Sequence, residues 1–539
     1  IMRVWAITLF VCAIAWSFQF TSFLDAKGLV LTVGFIIAAC LHIVSGHISE
    51  KGFRRFAPLW LGLLVYIISG FFTAHVLSFH IEKSLYLGMM LFIASLASPL
   101  FSLPQGRIWL LRSLLFSGAT VGLLALLQYA GLIDFLLPQF PGYTQRAYSV
   151  FGNQNLLGGY MAMNLALLAA MLPHLRKLSS PKFFLYLIVL VLLLGALLLS
   201  GTRSAWLAAI IGCTWGIMQG GILHPLRMVK KYKKRIVSII AVLVILVFLG
   251  APLVQKRITA TFSDTDIGGN SRIWFWTGAK HMISTSPLFG VGLGNYAYWS
   301  PLYQGKALEV KGQKTLYHNE LHTVHAHSEP LEFLAETGLV GCIFLLWFLA
   351  AALRRNSIET TGLITLGIFA CINTISHSPP HLLAGLLLAG SAATTQYSKP
   401  KSFRKVPRLL IVVAVLLFSC SYTFTTLIPS ILLNKAEQTH IAGGTPESLY
   451  MNALHWPWPN PQAHESYAIF LMDESRFNAA GIQLDQALKS LDTGRIHLLI
   501  AICAEAAGNR DAVQHHAQQC LYRWPGNKNA QSLIGKTLL

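Results

Sequence analysis

Apolar residues run along this chain in long blocks separated by short polar segments. A helix crosses a hydrocarbon layer of about 30 Å with roughly twenty such residues. Thirteen windows qualify: 4–22, 29–46, 57–79, 85–103, 110–132, 155–174, 183–200, 204–220, 236–254, 338–353, 358–376, 380–396 and 409–430. The clearest is FFLYLIVLVLLLGALLLS, Phe183 to Ser200. The weakest division separates 358–376 from 380–396, where only His377, Ser378 and Pro379 intervene. The first window has no cleavage pattern and is followed by more spans, so it reads as a transmembrane helix, not a signal peptide. The pattern predicts an all-α polytopic membrane protein with about 13 transmembrane helices (12–14). Its expected parts are 1–255 (helices 1–9), 256–337 (a large loop), 338–430 (helices 10–13) and 431–539 (a helical tail).

Charge supplies the orientation. With the N-terminus in the cytoplasm, the segments 51–55, 176–182, 227–235, 354–355 and 399–408, with Arg3, Arg107 and Arg112, lie on the cytoplasmic side and hold 22 Lys or Arg. The short loops opposite hold four, Lys27, Lys83, Arg146 and Arg203. Positive residues stay inside, so the loop 256–337 and the tail are expected outside. In a Gram-negative cell that places them in the periplasm, on a protein of the inner membrane. Of the 539 residues, 54% are hydrophobic and 12% charged, about half the usual charged share. The net charge of +20 comes mostly from loops between apolar runs, which argues for topology and against nucleic acid.

In the tail, ESRFNAAGIQLDQALKSL (474–491) and GNRDAVQHHAQQCLYRWPGN (508–527) share a polar-Arg-x-Ala start and an apolar face. Arg476 and Arg510 are 34 apart, the tetratricopeptide period, although the match slips by single residues. A TPR-like partner-binding domain and a generic helical cap both fit. WPWPNP (456–461) reads as an extended linker ahead of it. Of the eight cysteines, six lie in apolar runs; Cys503 and Cys520 lie in the tail, where an oxidising compartment would let them pair.

Polar side chains inside the apolar block gather on the outer side. Arg203 opens the eighth window; Asn153, Gln154 and Asn155 open the sixth; His377 and His381 flank the turn between the eleventh and twelfth. Arg272 and the histidines His318, His322, His325 and His327 belong to the outer loop. A charged group at a membrane mouth is costly and calls for a reason: for Arg203, either an anionic ligand or snorkelling to the headgroups. His318 and His322 are four apart, on one face of a helix, but the order HNELH is not HExxH and no carboxylate or cysteine has convincing ligand spacing, so no metal is expected. In HSEPLEF, Ser328 reads as an N-cap followed by Pro330 and Glu332. His327 then precedes a helix N-terminus, whose dipole favours a neutral imidazole able to accept a proton. The aromatics Trp274, Trp276, Tyr296, Tyr298, Trp299 and Tyr303 either stack on a ligand or pack the loop.

Four blocks, FGNQNLLGGYMAMNLAL (151–167), GTRSAWLA (201–208), SRIWFWTGAKHMISTSPLFGVGLGNY (271–296) and VHAHSEPLEFLAETGLVG (324–341), resemble in order and topology the O-antigen ligase (Wzy_C) superfamily. The tail resembles that of the bacterial O-linked protein oligosaccharyltransferases (PglL type). The sixth-window block lacks the fuller Gly-Gln-Pro-Asn-His form of many of those enzymes. The resemblance implies a cofactor-free glycosyltransferase moving a preassembled oligosaccharide from an undecaprenyl diphosphate carrier. The acceptor it implies is a Ser or Thr hydroxyl of a pilin-like protein contacted by the tail. It makes Arg203 and Arg272 the diphosphate ligands and His327 the base. Asn153, Gln154, Asn155, His325, Tyr296, His377 and His381 would then surround the substrates, with Glu336 and Gly338 structural beside them. The alternatives are an O-antigen ligase acting on lipid A–core, a Wzy-type polymerase, a lipid-linked glycan transporter and a scaffold. A transporter places polar sites near the midplane and reaches both sides; here the polar set is one-sided.

Overall fold

A computed structural model describes the chain outside residues 46–48, 139–145, 173–178, 220–224, 262–266, 311–322, 393–407 and 539. The loop histidines His318 and His322 and most of the basic segment 399–408 lie outside the described residues. Among the described residues every regular element is helical. Each of the thirteen windows carries a helix. Six described helices are long and apolar enough to cross a membrane: Phe23–Ser45, Leu77–Phe101, Pro104–Tyr129, Ser180–Ser200, Glu329–Ala352 and Arg408–Ile441. The pair Val237–Leu246 and Phe248–Thr259, bent by 45°, makes a seventh if it is one span. Several other windows hold shorter helices, such as Ala57–Thr73 and Ile358–Ala370. This is a multi-pass membrane protein. Its helices expose large apolar side chains outward, as at Phe72, Val44 and Phe248, where lipid is the natural solvent.

The first window, expected to span 4–22, is a helix only over Met2–Ile14. Ala15 turns extended, at ψ 140°. Lys27, expected in an outer loop, is fully buried in the next helix. Its Nζ donates to Ala13 O at 2.8 Å and Ala15 O at 2.7 Å. A cation on the last carbonyls satisfies groups that a helix end leaves orphaned, so the helix stops there although the apolar run continues.

The two ends of the helical block differ in chemistry. At one end Arg107 grips Glu359 with two bonds of 2.5 Å, and Arg55 reaches Gly390 O at 3.2 Å. These arginines come from segments expected in the cytoplasm. At the other end stand the turn 200–203, the start of the helix Gln154–Ala170, the turn 373–378 and the outer loop. The loop carries the helices Ile267–Thr285 and Tyr296–Val310 on a small core of Ala279, Met282, Val291, Tyr296, Ala326 and Ala335.

The outer loop is locked to the tenth window by backbone contact. The helix Glu329–Ala352 breaks at Gly338, φ 64° and ψ −167°. Beyond the break, Leu339 N donates to Pro287 O at 2.9 Å and Val340 N to Leu288 O at 3.2 Å. A Cβ on Gly338 would lie 2.3 Å from the Leu288 carbonyl carbon. Only glycine accepts both that conformation and that approach.

The tail is a succession of helical hairpins: Pro461–Asp473 against Phe477–Leu488, then Gly494–Ala506 against Arg510–Arg523. Arg476 is the N-cap of Phe477–Leu488, whereas Arg510 is the first residue of Arg510–Arg523, one position further in. The Trp/Pro linker is packed: Trp456 Nε1 donates to Phe424 O at 2.8 Å, beside the π turn Thr423–Leu427 in the last span. Cys503 and Cys520 are both free thiols, buried in different apolar clusters. The tail also touches the outer loop: a Cβ on Gly305 would fall 1.9 Å from Tyr522 O.

Candidate active site

The helix Ser180–Ser200 ends on Gly201 at φ 60°, the left-handed cap that glycine favours. Two residues later Arg203 begins the next helix, Arg203–Gln219. Between them Thr202 is buried and fully engaged. Its Oγ1 donates to Gln154 O at 3.0 Å and accepts from Arg146 Nη2 at 3.1 Å. Asn155 Oδ1 stands 3.4 Å away. Arg146 Nε donates to Ser200 O at 2.7 Å, and Arg257 Nε to Gly201 O at 3.3 Å. Asn153 caps its helix through Oδ1, at 2.8 Å from Asn155 N.

Arg272 joins this group through Asn373. Its Nη2 donates to Asn373 Oδ1 at 3.2 Å, and Asn373 Nδ2 donates to Ser204 Oγ at 2.8 Å. The side chain next to Arg203 and the guanidinium of Arg272 are thus two hydrogen bonds apart. Burial, then the fields of Arg257, Arg203 and Arg272, push the Arg146 guanidinium down to about 10. Like charges gathered this closely disfavour one another and favour an anion among them. Arg146 and Arg257 were absent from the expected site. Their only sequence signal is position: one just ahead of the Asn153 block, the other just past the ninth window.

His327 stands next to this cluster at φ 50°, a region that residues with a Cβ rarely adopt. The loop holds it there from both sides. One turn on, Glu332 folds back: Oε1 is 2.9 Å from His325 Nδ1, while Oε2 accepts from Ala326 N at 2.9 Å and Thr374 Oγ1 at 3.1 Å. Ser328 is the N-cap, as expected, but its hydroxyl makes no capping bond. The 373–376 turn caps the helix instead. Glu329 N donates to Asn373 O at 3.2 Å, and Glu329 Oε2 accepts from Ile375 N at 2.7 Å and Ser376 N at 3.0 Å. The His327 ring stacks on Phe275, centroids 5.5 Å apart, one turn after Arg272. Burial, then Arg272 and His325, hold its pKa down to about 4, opposed by Glu332. The imidazole is therefore neutral near pH 7.

Other expected site residues have structural surroundings. His381 is fully buried, with Nδ1 2.8 Å from Ser378 Oγ and Nε2 2.9 Å from Leu156 O. Both nitrogens are used, so it joins two helices rather than meeting substrate. Tyr296 is fully buried in the loop core, its hydroxyl donating to Phe275 O at 3.3 Å. That corrects the stacking expectation: no face of the ring is open to a sugar. Glu336 Oε1 accepts from Tyr296 N at 3.3 Å, and Gly292 N donates to Glu336 O at 3.0 Å. Glu336 thus pins the loop, and Gly338 breaks the helix beside it. His325 stacks on His377 with centroids 4.2 Å apart, and both line a cavity of ≈ 320 Å³. No group of three His, Cys, Asp or Glu has metal-holding geometry among the described residues.

Residues 188–346 match the Wzy_C family, O-Antigen ligase. That segment is similar to the O-antigen ligase family, and the match supports a membrane glycan-transfer enzyme of the O-antigen ligase type. The matched segment contains Arg203, Arg257, Arg272, His325, His327 and Glu332. Arg146, the Asn153 block, Asn373, His377 and the tail fall outside it, yet the fold packs all but the last against matched residues. No curated protein matches the chain.

Proposed function

We propose that the protein transfers a preassembled oligosaccharide en bloc from an undecaprenyl diphosphate carrier to Ser or Thr hydroxyls of periplasmic or pilin-like proteins. The observation that carries this reading is the gathering of Arg146, Arg203, Arg257 and Arg272 beside a neutral His327 at one end of the membrane block. A diphosphate needs guanidiniums, whose planar forks bind its oxygens in pairs and stay charged. A hydroxyl nucleophile needs a base.

The balance of the step is simple. The acceptor oxygen forms a bond to the anomeric carbon while the bond from that carbon to the diphosphate oxygen breaks. Undecaprenyl diphosphate leaves with the electron pair, and the acceptor's proton passes to His327. Attack opposite the leaving group inverts the anomeric centre. The guanidiniums stabilise the charge that grows on the leaving group, at about 3–4 kcal/mol per well-placed donor. Donor binding also brings negative charge to Arg272, one of the groups that depress the His327 pKa. The base then gains proton affinity when the donor is in place.

The family description itself favours a second reading, an O-antigen ligase acting on lipid A–core. The tail packed on the outer loop favours a protein acceptor. Purified protein, carrier-linked glycan and a pilin-like acceptor, incubated together, test the choice. The expected product is glycosylated protein, formed without lipid A–core and lost in a His327 variant. Glycan appearing only on lipid A–core overturns the protein reading.

A further inference from the structure

The cavity of ≈ 320 Å³ behind the His325–Ala326–His327 segment belongs to none of the roles above. Its charge is opposite to that of the arginine cluster. Asp25, Glu82, Glu332 and Glu336 line it, against a single ammonium, Lys83. His325 and His377 form part of its wall, and His377 Nδ1 is buried without a hydrogen-bond partner. The carboxylates are held in place: Asp25 by Ser430 Oγ at 2.6 Å and Glu82 by Thr426 Oγ1 at 3.0 Å. Glu332 connects the two sides. It lines the cavity, and it bonds the backbone N–H of Ala326, the residue next to His327.

The rim points to what the cavity receives. Phe79 lines it and also packs on the first apolar cluster of the tail. The tail's Trp456 anchor sits on Phe424, and Thr426, two residues on, lines the cavity. The volume lies at the small end of ligand pockets, about 300–1,000 Å³. That suits one side chain and its neighbours better than a branched, phosphorylated glycolipid.

We infer that this cavity is the acceptor subsite of the proposed transferase, and that it takes an uncharged or basic hydroxyl-bearing segment of a polypeptide. The inference rests on the function proposed above and names the substrate class for the same site. The carboxylates repel the diphosphate donor and phosphorylated acceptors, while the arginine cluster attracts the donor. Charge alone then sorts the two substrates to the two sides of the histidine segment.

The test uses the full chain in detergent, carrier-linked glycan as donor, and two synthetic Ser peptides, one flanked by Lys and one by Glu. The Lys-flanked peptide should have the lower acceptor KM. Glu82→Gln keeps the size of the side chain and removes an acidic group; it should shrink that preference and leave the donor KM alone. Val324→Trp, at a half-exposed cavity residue, should raise the acceptor KM for both peptides by steric filling, and serves if the buried variant folds poorly. Peptide transfer with acceptor KM unmoved in both variants overturns the cavity assignment alone, as does a donor KM that rises equally. Transfer to lipid A–core and to neither peptide overturns the peptide occupant and the function above together.

Discussion

The two sides of the histidine segment were built from the same kind of membrane helix ends, yet they carry opposite charge. On one side Arg146, Arg203, Arg257 and Arg272 crowd a polar turn whose partners are mostly carbonyls, hydroxyls and amides. On the other, four carboxylates surround Lys83. Ion pairing between the two sets would cancel both. Keeping them apart leaves each field available to a ligand, and it places His327 where Arg272 and Glu332 pull its proton affinity in opposite directions. Segregated charge of this kind is what the proposed two-substrate site requires, whereas paired charge, as in Arg107 with Glu359 at the opposite end, marks a structural lock.

The hardest blow to this comparison falls on the residue between the sides. His327→Asn tolerates the left-handed backbone but cannot act as the base. It should lower transfer by about 10²–10⁴-fold with an unchanged thermal melt; near-normal turnover would remove the base from His327. Next come the guanidiniums. Arg203→Ala or Arg272→Ala should each cost about 10²–10³-fold in kcat and leave the acceptor KM unchanged, measured with either peptide. An equal rise in acceptor KM would dissolve the division between sides.

Asn373→Ala tests the clamp between Arg272 and Ser204. Loss of both bonds should lower kcat/KM about 10-fold, whereas Asn373→Asp, which sets a carboxylate against Arg272, should raise the donor KM. If Asp restores full activity, Asn373 serves only the packing of its turn. The smallest effect is on pH dependence. The acidic limb of kcat/KM should lie near the free-enzyme value of about 4, because activity needs neutral His327 and falls as pH drops through its pKa. The limb of kcat should sit higher, since bound diphosphate offsets the Arg272 field. Coincident limbs would mean that the donor does not bind beside Arg272.

Much of this site could be read along the chain, and the omissions have a common cause. Arg203 stands out as a charge at the edge of an apolar window, and Arg272 and His327 stand out in the outer-loop blocks 271–296 and 324–341. Asn373 lies inside the window 358–376, where its single polar side chain is averaged away, although the helix actually ends at Ala370. Arg146 and Lys27 both read, from the sequence, as outer-loop charges. The fold separates them: Arg146 enters the arginine cluster, while Lys27 caps a helix inside the membrane block. His381 reads as a substrate residue because it flanks the outer turn, and Tyr296 because it is one of the loop's aromatics, but neighbours in space occupy every face they have.

Local sequence determined the all-helical character, the one-sided gathering of polar groups and the helix start after His327, because hydrophobic run length and capping chemistry act over a few residues. Which arginines meet, which carboxylates stay apart from them, and which histidine keeps a free nitrogen were decided only when distant helix ends packed. Electrostatic energy depends on separation in space, and chains joined through lipid-buried helices bring residues hundreds of positions apart, such as Asp25 and Ser430, to hydrogen-bond distance.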